Sequence, residues 1–552
     1  MSIVWDYLKR FFAGAIFGGY MAHLLYFLNP QVDISPGRLV LVTLVYSVIC
    51  GLLFGTALWI LRLLRLRVVG QPDAERTHGF GFVVLAVFVS ATIYWTHWDS
   101  MRIYLPIAAF RVLSKATNLI TITAFALLIL WIIERNAGRH ASRFIFLAAA
   151  IIIGVSSFTL YQRRESYRVE RREVVVANIG TVAEKRPAIV VAIRNLPYDW
   201  IITMRGEGIL PFFEEASRSS YLTRLEPFPT SHWQALWASL ATGKLPNRHG
   251  VTGRFSYRTA LNREAADEQF FLIPRGVGFR MWGLIPPVEQ ISAQLPSGDA
   301  LPLWTLYERL GLRAAVVNWP SSGTTGASRV ITDDALRSAV RPRPTVQALE
   351  ARFDDTGAAA PVILKALATD KAALDAVVDD RRFDLRVVAL EGFSEAQRAL
   401  HIYLNEVPAR ASTKGEALRA YLQQIDRELA QLVRGNPDHL IIICSPSAIV
   451  PPELAASAYA IAARELRSPD PGADDGFLLF VGPGTVQRPN PETAYVADVV
   501  PTVLFAGGLP VGRDMDGRIL TEAFGDDFLR RTTLSAIQTY EAEQVVVKRR
   551  GA

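Results

Sequence analysis

Five apolar runs without a single Lys, Arg, Asp or Glu crowd the first third of the chain: Phe11–Leu28, Leu39–Leu61, Gly79–Trp95, Thr117–Ile133 and Phe144–Leu160. Each is about 17 residues or longer, enough for a helix to cross the hydrocarbon core of a bilayer. Helices of water-soluble proteins usually keep a polar face, so five such runs in succession predict a domain of five transmembrane helices over residues 1–162. A cleaved signal peptide would supply one run, not five. The mean hydropathy of +0.21, high for a chain of 552 residues, agrees with this reading.

Charge divides the chain in the same place. Residues 1–172 hold 18 Lys+Arg and 8 Asp+Glu of totals 59 and 52, leaving 41 and 44 for the remainder. The basic character therefore belongs to the membrane part, where arginines set topology, and no nucleic-acid partner is implied. With a cytoplasmic N-terminus, Lys9, Arg10, Arg62, Arg65, Arg67, Arg76, Arg135, Arg139 and Arg143 lie inside. Arg38, Arg102, Arg111 and Lys115 then lie outside. Nine against four favours an integral protein of a bacterial-type plasma membrane with its N-terminus in and its C-terminal domain out. The arginine-rich stretch QRRESYRVERRE (Gln162–Glu173), within a linker over 163–184, runs against that count.

Beyond the linker, at 185–552, the pattern changes to short apolar runs alternating with helical periodicity. AIVVAI (Ala188–Ile193), AAVVNW (Ala314–Trp319), LRVVAL (Leu385–Leu390), LIIIC (Leu440–Cys444) and FLLFVG (Phe477–Gly482) read as buried parallel strands. Leu301–Gly311, Pro361–Asp380 and Glu416–Gly435 read as helices between them. Alternation of this kind predicts a doubly wound, mostly parallel α/β sheet, with functional residues at the carboxyl ends of strands. Gly253–Asp299 is irregular and aromatic-rich, suited to a cap or surface insertion. The two cysteines, Cys50 and Cys444, sit in an apolar helix and an apolar strand, so they form neither a disulfide framework nor a Cys-based metal site.

Four stretches carry a resemblance. PAIVVAIRNLPYDW has the form of an opening strand and loop; WASLATGKLPNRHGVTG (Trp237–Gly253) contains Gly-Lys-x-Pro-x-x-His-Gly. LPLWTLYERLGLRAAVVNWPSS (Leu301–Ser322) is a helix–strand pair, and YVADVVPTVLFAGGLPVGRDMDGRIL (Tyr495–Leu520) a closing signature. In this order they resemble the alkaline phosphatase superfamily, in its branch of type I phosphodiesterases and nucleotide pyrophosphatases, from about Lys185 to Phe524. The resemblance implies an alkaline-phosphatase-like domain, a pair of metal ions, usually zinc, held by Asp and His at strand ends, and a Ser or Thr nucleophile between them. Two cations would stabilise attacking and leaving oxygens.

The family's ligand positions carry other residues here. Arg194 stands where the first strand should end in Asp, and Trp233 stands at the nucleophile position. Ser394 and Arg398 replace an Asp and His pair; Pro446 and Ser447 replace another. No His stands in Ser468–Gly476, where one is expected; Asp474 and Asp475 there read as solvated turn residues. Asp199 reads as a helix-start residue, and His249 as a loop-shaping residue. Thr230, Ser231 and His232 remain nearby: Ser231 reads most simply as a helix cap, or, with a two-residue shift, as a nucleophile. Glu395 and His401, six apart, do not share a helix face well enough to rebuild a metal site. Arg194 and Arg398 could gather an anion, or pair with Glu391 or Glu395 and fill the vacated metal cavity.

The expectation is a membrane-anchored, catalytically inactive member that binds an envelope protein or an anionic head group, with no metal cofactor. The alternative is an active phosphodiesterase or phosphotransferase with a rearranged zinc or manganese site, acting on lipid or envelope phosphate esters. A third reading gives the function to the membrane helices as a conduit, with His23 its lone polar candidate.

Overall fold

The computed structural model describes residues 2–28, 36–69, 79–105, 107–136, 142–165, 167–173, 185–228, 233–251, 255–259, 288–292, 300–320, 327–339, 353–378, 382–400, 402, 412–448, 475–541 and 543–549. The chain forms two compact units: one of Met1–Arg172, Phe255–Ser292 and Val545–Ala552, the other of Glu173–Arg254 and Ala293–Gln544.

In the first unit, every apolar run lies within a helix: α1 (Ser2–Leu28), α2 (Pro36–Val69), α3 (Gly79–Met101), α4 (Ile107–Asn136) and α5 (Ser142–Glu165). Among the described residues, two segments are long and apolar enough to cross a membrane, Leu39–Ala57 in α2 and Phe110–Glu134 in α4. The helices turn large apolar side chains outward, as at Ile122 (68% exposed) and Phe144 (77%). Small residues seat α1 against α2. A Cβ on Gly18 would stand 2.3 Å from the Tyr46 carbonyl, and one on Gly14 2.6 Å from that of Cys50. Glycines at these positions let the two helix backbones approach closely. Thr123 of α4 donates to Ser156 of α5 across a buried contact (2.9 Å).

Strand β1 (Tyr167–Glu173) follows α5 and pairs with the last strand, β14 (Glu543–Arg549). The stretch expected as irregular, Gly253–Asp299, contains an antiparallel ribbon of β4 (Phe255–Thr259) and β5 (Val288–Ser292); residues 260–287 lie outside the described residues.

The second unit is built on β2 (Ala188–Ile193), β3 (Tyr221–Glu226), β6 (Ala314–Val317), β7 (Arg329–Ile331), β8 (Leu385–Leu390), β9 (Leu440–Ser445), β10 (Gly476–Val481) and β11 (Ala494–Tyr495). Their order is β11-β3-β10-β9-β2-β8-β6-β7. All run parallel except β10, which is antiparallel to both neighbours, β3 and β9. FLLFVG thus forms a buried strand but not a parallel one, because an apolar run reports burial on both faces and is silent about direction. A small pair, β12 (Val511–Gly512) with β13 (Ala536–Ile537), completes the strands.

Side-chain alternation divides the interior into two cores. Val190 and Ala192 face one, with Trp237, Trp304 and Trp319. Ile189, Val191 and Ile193 face the other, with Trp200, Phe393 and Leu429. Strand period 2 makes β2 serve both, which is why it reads as uninterrupted hydrophobic sequence. Helices Leu303–Arg309, Ala360–Val378 and Thr413–Gly435 lie where periodicity places them.

Candidate active site

The carboxyl ends of β2, β8 and β9 meet at the middle of the sheet, because β2 lies between the other two. Arg194 follows β2 directly and is buried. Its Nη1 lies 3.2 Å from Glu391 Oε2, just past β8. Its guanidinium carbon sits 3.8 Å from the ring centroid of Trp233, the first residue of the helix Trp233–Thr242. Two positions read from sequence as substituted, one a ligand site and one the nucleophile site, thus touch each other. The cation is held by a carboxylate on one side and an aromatic face on the other.

Several polar groups around this stack bond one another, while Arg194 Nε is buried without a hydrogen-bond partner among the described residues. Asn195 has a left-handed backbone (φ 62°), which Asn tolerates better than most residues, and donates from Nδ2 to Ser394 Oγ (3.1 Å). Ser445 Oγ accepts the Leu196 N–H (3.0 Å) and donates to the Ser447 carbonyl (3.2 Å). Pro446 and Ser447 are buried beside it. Arg398, by contrast, is exposed, and its Nε reaches the Ser394 carbonyl one turn back (3.4 Å). Glu395 pairs with Arg337, a partner that sequence spacing does not single out. Asp199 lies in the first turn of the helix Tyr198–Gly206 and pairs with Arg224 (2.6 Å), which also approaches Asp475 (3.6 Å). Thr230, Ser231, His232, His401 and Asp474 lie outside the described residues.

A pair of divalent ions, implied by the family resemblance, does not suit this set. A guanidinium at a ligand position repels a cation, and proline offers no side-chain donor. The hydroxyls of Ser394 and Ser445 already take hydrogen bonds from Asn195 and Leu196. Among the described residues, no three His, Cys, Asp or Glu side chains are grouped to hold a metal.

The resembling motifs do a different job. Gly243 adopts φ 68°, and a Cβ there would stand 3.0 Å from Val500. Lys244 is buried between Asp514 (2.6 Å) and Glu541 (2.8 Å). Burial would raise the Asp514 carboxyl, but the Lys244 ammonium and its hydrogen bonds hold it below its ordinary range. Asp516 accepts the Leu245 N–H (2.9 Å) and pairs with Arg248 (2.9 Å). His249 is fully buried. Its Nδ1 accepts the Val251 N–H (3.1 Å), so Nε2 carries the proton and donates to Ser239 Oγ (2.9 Å). Burial, with Lys244 nearby, pushes its pKa down to about 3. In the closing signature, buried Asp498 accepts the N–H groups of Tyr495 (2.9 Å) and Arg518 (2.7 Å). Gly-Lys-x-Pro-x-x-His-Gly and Arg-Asp-Met-Asp-Gly therefore lock to one another.

The model of the type I phosphodiesterase / nucleotide pyrophosphatase family matches residues 195–445. The motifs and the match name the same family. The matched span starts one residue after Arg194 and stops one before Pro446. No curated protein matches the chain. Among solved structures, murine ectonucleotide pyrophosphatase / phosphodiesterase 5 is 10% identical, over 62% of this chain and all (100%) of its own, at a TM-score of 0.39. A sulfatase-like protein from Bacteroides thetaiotaomicron is 11% identical over 62% of this chain and 75% of its own, at 0.39. A superfamily protein from Vibrio parahaemolyticus is 10% identical over 63% and 72%, at 0.36. Likenesses this distant say nothing of chemistry.

Proposed function

We propose that this is a membrane-anchored, catalytically silent member of the phosphodiesterase family that serves as a binding or assembly partner at the cell envelope. The observation that carries the reading is the Arg194 stack. A cation fills the end of the central strand, where the family's chemistry calls for an anionic ligand, and it leans on a tryptophan where a hydroxyl is needed. Among the described residues of such a site a phosphate ester would meet no metal clamp and no activated oxygen.

The five helices are taken as the anchor, with the N-terminus inside and the second unit outside the cytoplasm. Outward apolar side chains support the anchor. So do aromatic pairs near both ends of the helices, Tyr7 with Trp59 and Trp95 with Trp98, at the depth where interfacial rings are favoured. The partner is an envelope protein or an anionic head group, and no zinc or manganese is required.

Hydrolysis of bis-nitrophenyl phosphate by the purified full-length chain, with zinc or manganese supplied, tests the silence. The rate should equal that of Thr230→Ala/Ser231→Ala. Turnover that disappears in that variant would replace the silent reading with a rearranged, active site.

A further inference from the structure

One end of the helical unit carries three cations that no ion pair joins to an acid among the described residues. The end of α1, the end of α3, the start of α4 and the last turns of α5 share one buried cluster, including Tyr94, Tyr104, Leu113 and Leu160 with Phe27 against them. Arg164 of α5 fastens this end. Its guanidinium lies 3.5 Å over the Tyr26 ring and its Nε donates to the Tyr26 carbonyl (3.0 Å). Trp98 stacks on Phe110 (5.6 Å between centroids) and donates to Ser114 (2.7 Å), while Trp95 donates to Thr121 (3.0 Å). Indoles tied to hydroxyls in this way mark headgroup depth in a bilayer.

Beside them stand Arg102, Arg111 and Lys115, all exposed. Arg111 and Lys115 are one helical turn apart on α4, a spacing at which like charges repel. No ion pair joins any of the three to an acid among the described residues, although Asp99 is near in sequence. The arginines after α5 differ, since Glu165, Glu170 and Glu173 interleave with them.

We propose that the α3–α4 end is a binding site for the phosphate of an anionic phospholipid headgroup. Two like charges held one turn apart cost stability until an anion lies between them, and the aromatic pair sets the depth at which a headgroup phosphate would lie. The proposal rests on the helices lying in a bilayer, and it is independent of whether the second unit is silent.

The test uses the full-length chain in nanodiscs of phosphatidylcholine with and without phosphatidylglycerol, reading the enrichment of phosphatidylglycerol around the protein. Arg111→Gln/Lys115→Gln should lower that enrichment by roughly fivefold per removed cation, the equivalent of about 1 kcal/mol each. The charge-preserving Arg111→Lys/Lys115→Arg should keep it. In pure phosphatidylcholine the Gln variant should melt no lower than the parent, which separates lost binding from lost folding. Inorganic phosphate should not compete; competition at millimolar levels would assign the site to free anions and overturn the lipid reading. Equal enrichment in parent and Gln variant would overturn it too. Alkaline carbonate extraction guards the premise: release from membranes would sink the bilayer reading itself, whereas retention with unchanged enrichment would sink only the headgroup site.

Discussion

Arg194 sets the character of the carboxyl end of β2. An aspartate at the end of β2 would project a negative charge to the strand ends. The arginine instead folds back, pairs with Glu391 and covers Trp233. Arg194→Ala should destabilise the second unit by about 2 kcal/mol, because Glu391 loses its partner and the indole its cap. Glu391 retains some solvent, which keeps the figure below that of a fully buried pair. Arg194→Lys should recover part of the loss, keeping the charge without the planar stack. Urea denaturation followed by tryptophan fluorescence reads both. His249 makes a second residue-scale claim. Its folded pKa of about 3 lies below the ordinary 6.5, so the unfolded chain takes up a proton that the folded one refuses. Its contribution is complete above about pH 6.5 and is lost as pH falls toward 3, at no more than about 1.4 kcal/mol per pH unit. In His249→Gln the acid side of the stability–pH curve should flatten, at the cost of some stability at pH 7. An unchanged slope would refute the assignment.

At the scale of elements, the family motifs are braces. The loop after Thr242 is pinned by Asp514, Asp516, Glu541 and Val500, which the chain supplies some 260 residues later or more, in its closing signature and just beyond. Lys244→Ala should cost about 3–5 kcal/mol by leaving Asp514 and Glu541 buried together without a cation. Gly243→Ala should cost roughly 1–3 kcal/mol through its left-handed backbone and the approach of Val500. If either proves neutral in thermal melts, the brace is not structural. These braces also explain what was legible in the sequence. β2 and β9 are almost wholly apolar and β8 is interrupted only by Arg386, buried against Val377 and Asn436, so the apolar runs mark these strands, while the residues of the locks are reached through the family resemblance. The pairing of Arg194 with Glu391 was legible as one of two uses for that arginine. The direction of β10, the short strand β3 with its alternating Leu222 and Thr223, and the choice of Arg337 for Glu395 were not. Each depends on neighbours brought together only by the sheet order.

For the molecule as a whole, the family match over residues 195–445 takes in Trp233, Ser394 and Arg398 as well as Lys244 and His249 of the brace, while Asp514, Asp516 and Glu541, which complete the brace, lie beyond it. The helical unit has its own requirement, the close seat of α1 on α2. Gly18→Leu would drive a side chain into the Tyr46 carbonyl and should lower the melting temperature of that unit in detergent without altering the second unit's denaturation. Coupled loss of both would mean that the units do not fold separately. In the silent reading proposed above, the sheet ends hold a guanidinium where the family resemblance implies a metal pair. Elemental analysis of the purified full-length chain, after equilibration with zinc and manganese and removal of the excess, tests it most directly. Far less than one ion per chain is expected; one or two tightly held ions per chain would overturn the silent reading.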